Sequence, residues 1–295
     1  MIIVKLQGGL GNQMFQYAFG KAISNRLNQS LYFDDTLLTE KPQNESSYIL
    51  REFELSNFPG IELKLLPGFL KNLVYSKSQF IHKLINKLQL TIFNHQAENE
   101  YLDLHKFPLR PINIFEGYFQ SQNYFYDFSD TIRSGFRFPE MDDRNNLLTD
   151  QIKNSNSVAI HIRRGDYFSN TKTFQYHGIL PLRYYKDSIE ILRKTQSDLT
   201  FFIFTDDVLW VKENFKPEYP EAIIAEGNSG TQSWKDMALM TYAKHHIISN
   251  SSFSWWGAWL AGNQGMKIAP GRWFNPEVAN FDIQTIIPGN WTIVY

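Results

Sequence analysis

The chain has 295 residues, of which 43% are hydrophobic and 20% are charged, a balance typical of a globular protein and not of a disordered one. Its 29 Lys and Arg residues are offset by 30 Asp and Glu residues, so there is no basic excess of the kind that nucleic-acid binding requires. The absence of cysteine excludes disulfides, thiolate metal sites and cysteine nucleophiles.

Short apolar runs rich in β-branched residues predict buried strands along the chain. They lie at 2–6, 31–33, 158–162, 201–204, 222–224 and 246–248. Stretches with helical spacing of apolar residues lie between or after them, at 13–26, 182–194, 234–244 and 253–261. This alternation predicts an α/β fold with parallel sheets and helices on both faces of each sheet.

The middle of the chain differs, because residues 63–97 contain five lysines and no acidic residue. Leu, Ile and Phe recur there at irregular helical spacing, so we expect a lysine-rich helical insertion. It is either an ordinary solvated insertion or a membrane-surface helix that brings the protein to a lipid-linked glycan. A polar stretch at 140–146 predicts the domain boundary, which gives domains 1–145 and 146–295.

The first strand turns at once into glycines, without the apolar length of a signal peptide. No apolar run reaches the roughly 18 residues that a membrane span needs. We therefore expect a cytoplasmic protein, with peripheral contact at the inner face of the membrane if the insertion is a surface helix.

The first candidate motif is the glycine-rich run that joins the first strand to the first helix. Glycines let a backbone approach a ligand closely, and the free N–H groups of a helix start attract anions. The run is Gly8-Gly9-Leu10-Gly11-Asn12-Gln13. Met14 stands where a dinucleotide fingerprint needs a third glycine, although Asp34 ends the next strand, where a ribose-binding acid is expected. The alternative is a tight turn with no ligand.

The second motif is a cluster of polar residues at the end of the strand at 158–162. Because strand side chains alternate, His161 and Arg163 should share one face at the carboxyl end, where open α/β sheets bind ligands. Guanidinium groups match phosphate oxygens, so the pattern favours an anion site. In the alternative interpretation, Arg164 pairs with Asp166 and His161 is a core histidine.

The third motif is the acidic pair Asp206 and Asp207, which follows the strand at 201–204. These carboxylates can accept hydrogen bonds from ribose hydroxyls or purine N–H groups, or they can cap the following helix. Adjacent acids lack the Asp-x-Asp spacing that is usual for a nucleotide-bound cation. We therefore predict no metal site here.

The fourth motif places hydroxyl residues after the strand at 246–248 and before a helix. Ser251 or Ser252 as N-cap, with free N–H groups behind it, makes a seat for a diphosphate. The tryptophans that follow are more typical of core packing; they are Trp255, Trp256 and Trp259.

These stretches together resemble the bacterial galactoside α-1,2-fucosyltransferase family, glycosyltransferase family 11. The matching runs are Gly-Gly-Leu-Gly-Asn-Gln-Met-Phe-Gln-Tyr at 8–17, Glu-Gly-Tyr-Phe-Gln-Ser at 116–121, His-Ile-Arg-Arg-Gly-Asp-Tyr at 161–167, Phe-Thr-Asp-Asp at 204–207 and Ser-Asn-Ser-Ser-Phe-Ser-Trp-Trp-Gly-Ala-Trp-Leu at 249–260. The resemblance extends from Lys5 to about Trp273, with motifs in both halves of the chain.

The resemblance implies a GT-B-type fold, with two Rossmann-like domains facing a cleft. It implies GDP-β-L-fucose as the donor and the 2-hydroxyl of a terminal galactose as the acceptor, with inversion to an α-linkage. It also implies that no metal or other cofactor is needed, and that the protein acts in O-antigen or other surface-glycan synthesis.

The resemblance also assigns residues to roles. Arg163 would hold the β-phosphate, and Asp206 would contact the ribose or the guanine. The general base would be a carboxylate, with Asp166 and Glu116 as the candidates in the matching motifs. The other donor-site residues that the resemblance implies are Gly9, Gly11, Asn12, His161, Arg164, Ser251, Ser252 and Phe253.

Three other functions stay open. A nicotinamide-dependent oxidoreductase would use the glycine motif and Asp34, but it leaves the phosphate-like sites of the second half without a role. A non-catalytic glycan-binding module would use some of the 7 Trp, 15 Tyr and 24 Phe residues as sugar-stacking surfaces, although aromatic side chains are usually core. A transferase of another sugar nucleotide, for example one that carries a different deoxysugar, would use the same fold.

Overall fold

The structure, a computed structural model, describes residues 1–40, 51–76, 78, 87–96, 102, 109–165, 171–262, 265–275, 277–278 and 282–295. The chain divides into two compact units, Met1–Arg137 and Phe138–Tyr295. The predicted boundary at 145/146 lies inside the first helix of the second unit, whereas the observed division follows Arg137.

The first unit contains a parallel sheet flanked by helices. Its described strands are β1 (Ile2–Lys5), β2 (Leu31–Asp34), β3 (Thr91–His95) and β4 (Ile112–Glu116). Its described α-helices are α1 (Leu10–Leu27), α2 (Thr36–Thr39), α3 (Gly68–Val74) and α4 (Ser129–Gly135). The strand order is β2-β1-β4-β3, and every pair is parallel. Short 3-10 turns lie at Leu55–Asn57, Gln122–Tyr124 and Tyr126–Phe128.

The described part of the lysine-rich stretch at 63–97 is only partly helical, which corrects the prediction of a helical insertion. It contains α3, but β3 lies at its end and is an edge strand of the first sheet. The run Thr91-Ile92-Phe93 is β-branched and aromatic, which favours a strand in spite of the nearby lysines. Residues 77, 79–86 and 97 of this stretch lie outside the described residues. None of the described helices is long and apolar enough to cross a membrane.

The second unit is a larger parallel sheet with helices between its strands. Its strands are β5 (Asn156–Ile162), β6 (Leu199–Thr205), β7 (Ile223–Ile224), β8 (His245–Ile247), β9 (Lys267–Pro270) and β10 (Thr292–Val294). Its described α-helices are α5 (Asp143–Lys153), α6 (Thr171–His177), α7 (Leu182–Arg193), α8 (Val208–Asn214), α9 (Trp234–Thr241), α10 (Ser252–Leu260) and α11 (Ile283–Ile286). A 3-10 turn lies at Gly230–Gln232.

The strand order of this sheet is β10-β9-β8-β5-β6-β7. The chain builds outward from β5 to β7 and then returns to the other side of β5 to begin β8. Counted from β5, this is the Rossmann order 3-2-1-4-5-6 read from the other edge. The carboxyl ends of β5 and β8 therefore form the topological switch point, where open α/β sheets bind ligands.

Apolar side chains cover both faces of the second sheet, as the near-continuous apolar strands predict. One buried cluster includes Val158, Ile160 and Phe201, and another includes Ala159 and Phe202. These neighbours in sequence lie on opposite faces because strand side chains alternate. The core interpretation of the tryptophans is confirmed, since Trp255, Trp256 and Trp259 are buried.

A buried carboxylate, Asp236, lies near the start of α9. Burial raises its pKa to about 7, and the amide of Asn228, 2.8 Å away, and the charge of Arg144 only partly oppose this rise. The folded protein therefore holds this proton more tightly than the unfolded chain, whose pKa lies near the ordinary 3.8. The protonated carboxyl therefore stabilises the folded protein relative to the ionised one. This contribution to the free energy of unfolding is fully present below the unfolded pKa and is lost as the pH rises through about 7.

Replacing Asp236 with asparagine keeps an oxygen acceptor for Asn228 but removes the titrating group. The quantity of interest is the free energy of unfolding of the variant minus that of the native protein. We expect this difference to rise by about 2 to 4 kcal/mol between pH 4.5 and pH 7.5 and to be constant above that range. Urea unfolding at a series of pH values measures this difference. A gap that is the same at every pH would contradict the assignment.

Candidate active site

Three of the sequence motifs meet at the carboxyl edge of the second sheet. Strand β5 lies between β6 and β8, and all three run parallel, so their carboxyl ends reach the same edge. His161 is in β5, Arg163 follows it, Asp206 follows β6, and Ser249 lies just beyond β8. The structure thus brings together residues that are far apart in the sequence, at the switch point of the fold.

His161 bridges the ends of β5 and β8. Its Nδ1 lies 2.7 Å from Oγ of Ser249, and its ring centroid lies 5.6 Å from that of Phe253. Burial lowers the pKa of His161 to about 3, and the charge of Arg163 acts in the same direction. The imidazole is therefore neutral at physiological pH, and it acts as an uncharged hydrogen-bonding link rather than as a cation.

Asp206 holds both arginines of the second motif. Its Oδ2 lies 3.0 Å from a terminal nitrogen of Arg163, and its Oδ1 accepts a hydrogen bond of 2.8 Å from the backbone N–H of Arg164. A Cβ at Gly165 would lie 2.7 Å from Oδ2, so glycine is the residue that permits this approach. Asp206 thus fixes the position of the arginine pair, and its contact with the ribose or the guanine stays a prediction.

Arg164 is placed against the start of α8. Its Nε lies 3.4 Å from Oδ2 of Asp207, and its Cζ lies 4.1 Å from the centroid of a Trp210 ring. Asp207 also caps α8, because its side chain accepts a 3.0 Å hydrogen bond from the N–H of Trp210. Asp166, the predicted alternative partner of Arg164 and a candidate base, lies outside the described residues.

The start of α10 completes this edge. Ser251 is its N-cap residue and makes no side-chain capping bond. The first N–H groups of a helix have no intrahelical partner and carry a partial positive charge, so Ser252 and Phe253 begin an anion-attracting helix end. Asn250 fixes the preceding turn, because its amide donates to the carbonyl groups of His177 at 2.9 Å and Trp273 at 3.3 Å.

In the first unit, the glycine motif is joined to the motif at 116–121. Gly8 has a φ of +76°, and Gly9 precedes α1 with no atom within 4 Å of where a Cβ would lie. Oδ1 of Asn12 accepts a 2.8 Å hydrogen bond from the amide of Gln120. A ligand can therefore approach the backbone at Gly9 closely, while Gly11 is buried within the first turn of α1.

Glu116, the second candidate base, ends β4 in an ion pair. Its Oε2 lies 2.7 Å from Nζ of Lys5, and its Oε1 lies 3.8 Å from Nδ1 of His95. No sequence signal points to His95, because it ends β3 in a stretch whose composition predicts a helix. A general base needs a free carboxylate, whereas that of Glu116 is ion-paired in this structure.

Asp34 does not present a free carboxylate either. Its Oδ1 accepts hydrogen bonds from the backbone and the hydroxyl of Thr36, at 3.1 and 2.6 Å, and lies 3.2 Å from Nζ of Lys71. Asp34 is almost fully buried. This arrangement is that of a structural residue at the end of β2, and it gives no support to a ribose contact of the kind that a nicotinamide-dependent enzyme needs.

Among the described residues, no group of three or more His, Asp and Glu side chains is arranged to hold a metal ion. Guanidinium groups and helix N–H groups, the kinds of group found at this edge, can offset the charge of a bound diphosphate.

Comparison with known proteins connects this site to a family. The family described as Glycosyl transferase family 11 matches residues 1–295. The chain is 34% identical over 293 residues to an alpha-1,2-colitosyltransferase of Escherichia coli, covering 95% of this chain and 94% of the relative. It is 31% identical over 293 residues to the O-antigen biosynthesis glycosyltransferase WbnK of Escherichia coli, covering 91% of this chain and 93% of that protein.

A solved structure of a mutant of Arabidopsis thaliana FUT1 in complex with GDP is similar in fold. The TM-score is 0.50 at 13% identity, and the match covers 99% of this chain and 75% of that chain. The fold class is therefore α/β of the GT-B type, as predicted, and the oxidoreductase and glycan-binding alternatives are set aside by the family match across the whole chain. From its motifs, its fold and its relatives, the chain belongs to glycosyl transferase family 11.

Proposed function

We propose that the protein is an inverting α-1,2-fucosyltransferase that moves L-fucose from GDP-β-L-fucose to the 2-hydroxyl of a terminal galactose. The observation that carries this proposal is the convergence of Arg163, His161 and the start of α10 at the switch point of the second sheet. Such a site suits a nucleoside diphosphate, because it combines a guanidinium group with helix N–H groups at a ligand-binding edge.

In the proposed reaction, O2 of the galactose attacks C1 of fucose from the face opposite the diphosphate. The bond between C1 and the β-phosphate oxygen breaks, and GDP leaves with the electron pair. Arg163 and the N–H groups of α10 offset the charge that develops on the leaving diphosphate. The proton of O2 passes to a carboxylate, for which Asp166 and Glu116 are the candidates, and Glu116 must first be released from Lys5.

A second donor has specific support, because one relative is named an alpha-1,2-colitosyltransferase. Colitose is fucose without the 3-hydroxyl, so both donors would present the same GDP group to the second unit. The choice between them depends on contacts to one sugar hydroxyl. The name of the other relative supports a role in O-antigen or other surface-glycan synthesis for either donor.

The test is transfer from GDP-fucose or GDP-colitose to a panel of galactosides in EDTA, with GDP release and the linkage of the product measured, the latter by NMR. We expect GDP release that depends on the acceptor and fucose linked α to O2 of galactose. Preferred transfer of colitose would select the second donor. No transfer from either donor would contradict the proposal, and a requirement for added Mn²⁺ would make Asp206 and Asp207 candidate metal ligands.

A further inference from the structure

The side chain of Arg164 is held on two sides by one turn of helix. The ring of Trp210 lies 4.1 Å from the guanidinium carbon, and Oδ2 of Asp207 lies 3.4 Å from Nε. The side chain of Arg164 is only 17% exposed. The guanidinium is thus confined at the edge of the second sheet, next to Arg163 but against a different element.

The two groups that hold Arg164 are fixed relative to each other. Asp207 accepts the N–H of Trp210 through its Oδ1 at 3.0 Å and donates its own N–H to Oγ1 of Thr205 at 3.0 Å. Trp210 also packs against the apolar cluster that covers one face of the second sheet. The indole ring is therefore a rigid surface rather than a mobile surface side chain.

Contact with an aromatic ring suits a guanidinium that must also bind an anion. The N–H groups of a guanidinium lie in its plane, so a ring that contacts its face uses none of these donors. A carboxylate such as Asp207 holds the same group by charge but competes with an anionic ligand for its N–H groups. The ring therefore supplies orientation without that competition.

We propose that Trp210 is a positioning residue that orients Arg164 toward the diphosphate of the donor. The proposal rests on the proposed function, since it takes GDP as the ligand of this edge. It assigns the two guanidinium groups to separate supports: Asp206 holds that of Arg163, and Trp210 and Asp207 hold that of Arg164. Trp210 itself touches neither the sugar nor the phosphates.

The test is a double-mutant cycle on GDP binding by the full chain, measured by titration calorimetry in EDTA. Trp210→Leu removes the ring and should weaken GDP binding roughly threefold to thirtyfold, the range for a partly buried cation–π contact. Trp210→Phe keeps a ring and should recover most of the affinity. In an Arg164→Ala background, Trp210→Leu should cause no further loss, because its effect acts through Arg164.

Leu209→Ala is the matched control, because Leu209 lies on the same helix and is 73% exposed. Thermal unfolding is followed for every variant, and Trp210→Met replaces Trp210→Leu if the latter does not fold. If Trp210→Leu lowered the GDP affinity equally in the native and the Arg164→Ala backgrounds, or did not lower it at all, the role of Trp210 would be wrong but the proposed function would stand. A native protein that binds no GDP would overturn the proposed function as well.

Discussion

Replacing Arg163 with alanine is expected to lower the rate of sugar transfer by roughly 100- to 1000-fold, the size of effect seen when one preorganised donor to a developing anion is lost. Arg163 lies at the carboxyl end of β5, and its guanidinium is held by Asp206 at 3.0 Å. The midpoint of thermal unfolding should fall less than after a core substitution, because both side chains of this pair are about a quarter exposed and the change removes no large apolar side chain.

The matched control for this variant is Arg183→Ala. Arg183 is also in the second unit and also pairs with a carboxylate, Asp187 at 3.3 Å, but its side chain is 86% exposed on α7. Its removal should leave both transfer and thermal unfolding unchanged. Transfer by Arg163→Ala at the native rate would end the assignment of the diphosphate to this edge.

Replacing Trp255 with alanine is expected to lower the free energy of unfolding by about 3 to 5 kcal/mol, the usual loss for a large aromatic residue in a core. Trp255 is fully buried in α10, and its indole N–H donates to the carbonyl of Ile286 at 2.9 Å. Its ring centroid lies 5.1 Å from that of Trp256 and 5.8 Å from that of Trp291. The substitution removes this packing and leaves the Ile286 carbonyl without its donor.

Urea unfolding measures this loss, with Trp255→Phe as the comparison. Phenylalanine keeps most of the apolar contact but not the N–H, so its loss should be smaller than that of alanine. Because α10 begins at the candidate active site, activity in the alanine variant should fall with the fraction of folded protein. An alanine variant as stable as the native protein would contradict the core assignment of these tryptophans.

The sequence predicts the second unit better than the first, and the reason is physical. Strands β5, β6 and β8 are nearly continuous apolar runs that end abruptly in polar residues, a strong signal of buried parallel strands. Strands β9 and β10 give no such signal, because they are short and β9 begins with a lysine, Lys267. The lysines that precede β3 obscure the pattern of that strand.

Some features of the candidate site could be predicted from the sequence, and others could not. The alternation of side chains along a strand predicts that His161 and Arg163 share one face of the sheet. The end of the apolar run predicts that they lie at the carboxyl edge, where open α/β sheets bind ligands. The contact of His161 with Ser249 and that of Arg164 with Trp210 could not be predicted, because each joins elements whose spacing depends on the packing of the whole sheet. The pairing of Glu116 with Lys5 is a contact of the same kind.

We propose that the carboxyl edge of the second sheet binds a nucleoside diphosphate without a metal ion, and the rest of the proposed function depends on this. Titration calorimetry of GDP and of GMP into the full chain, in EDTA, tests it most directly. We expect that GDP binds and that GMP binds more weakly, because GMP lacks the phosphate assigned to Arg163. Equal affinities for the two nucleotides, or GDP binding only after a divalent metal is added, would contradict the claim.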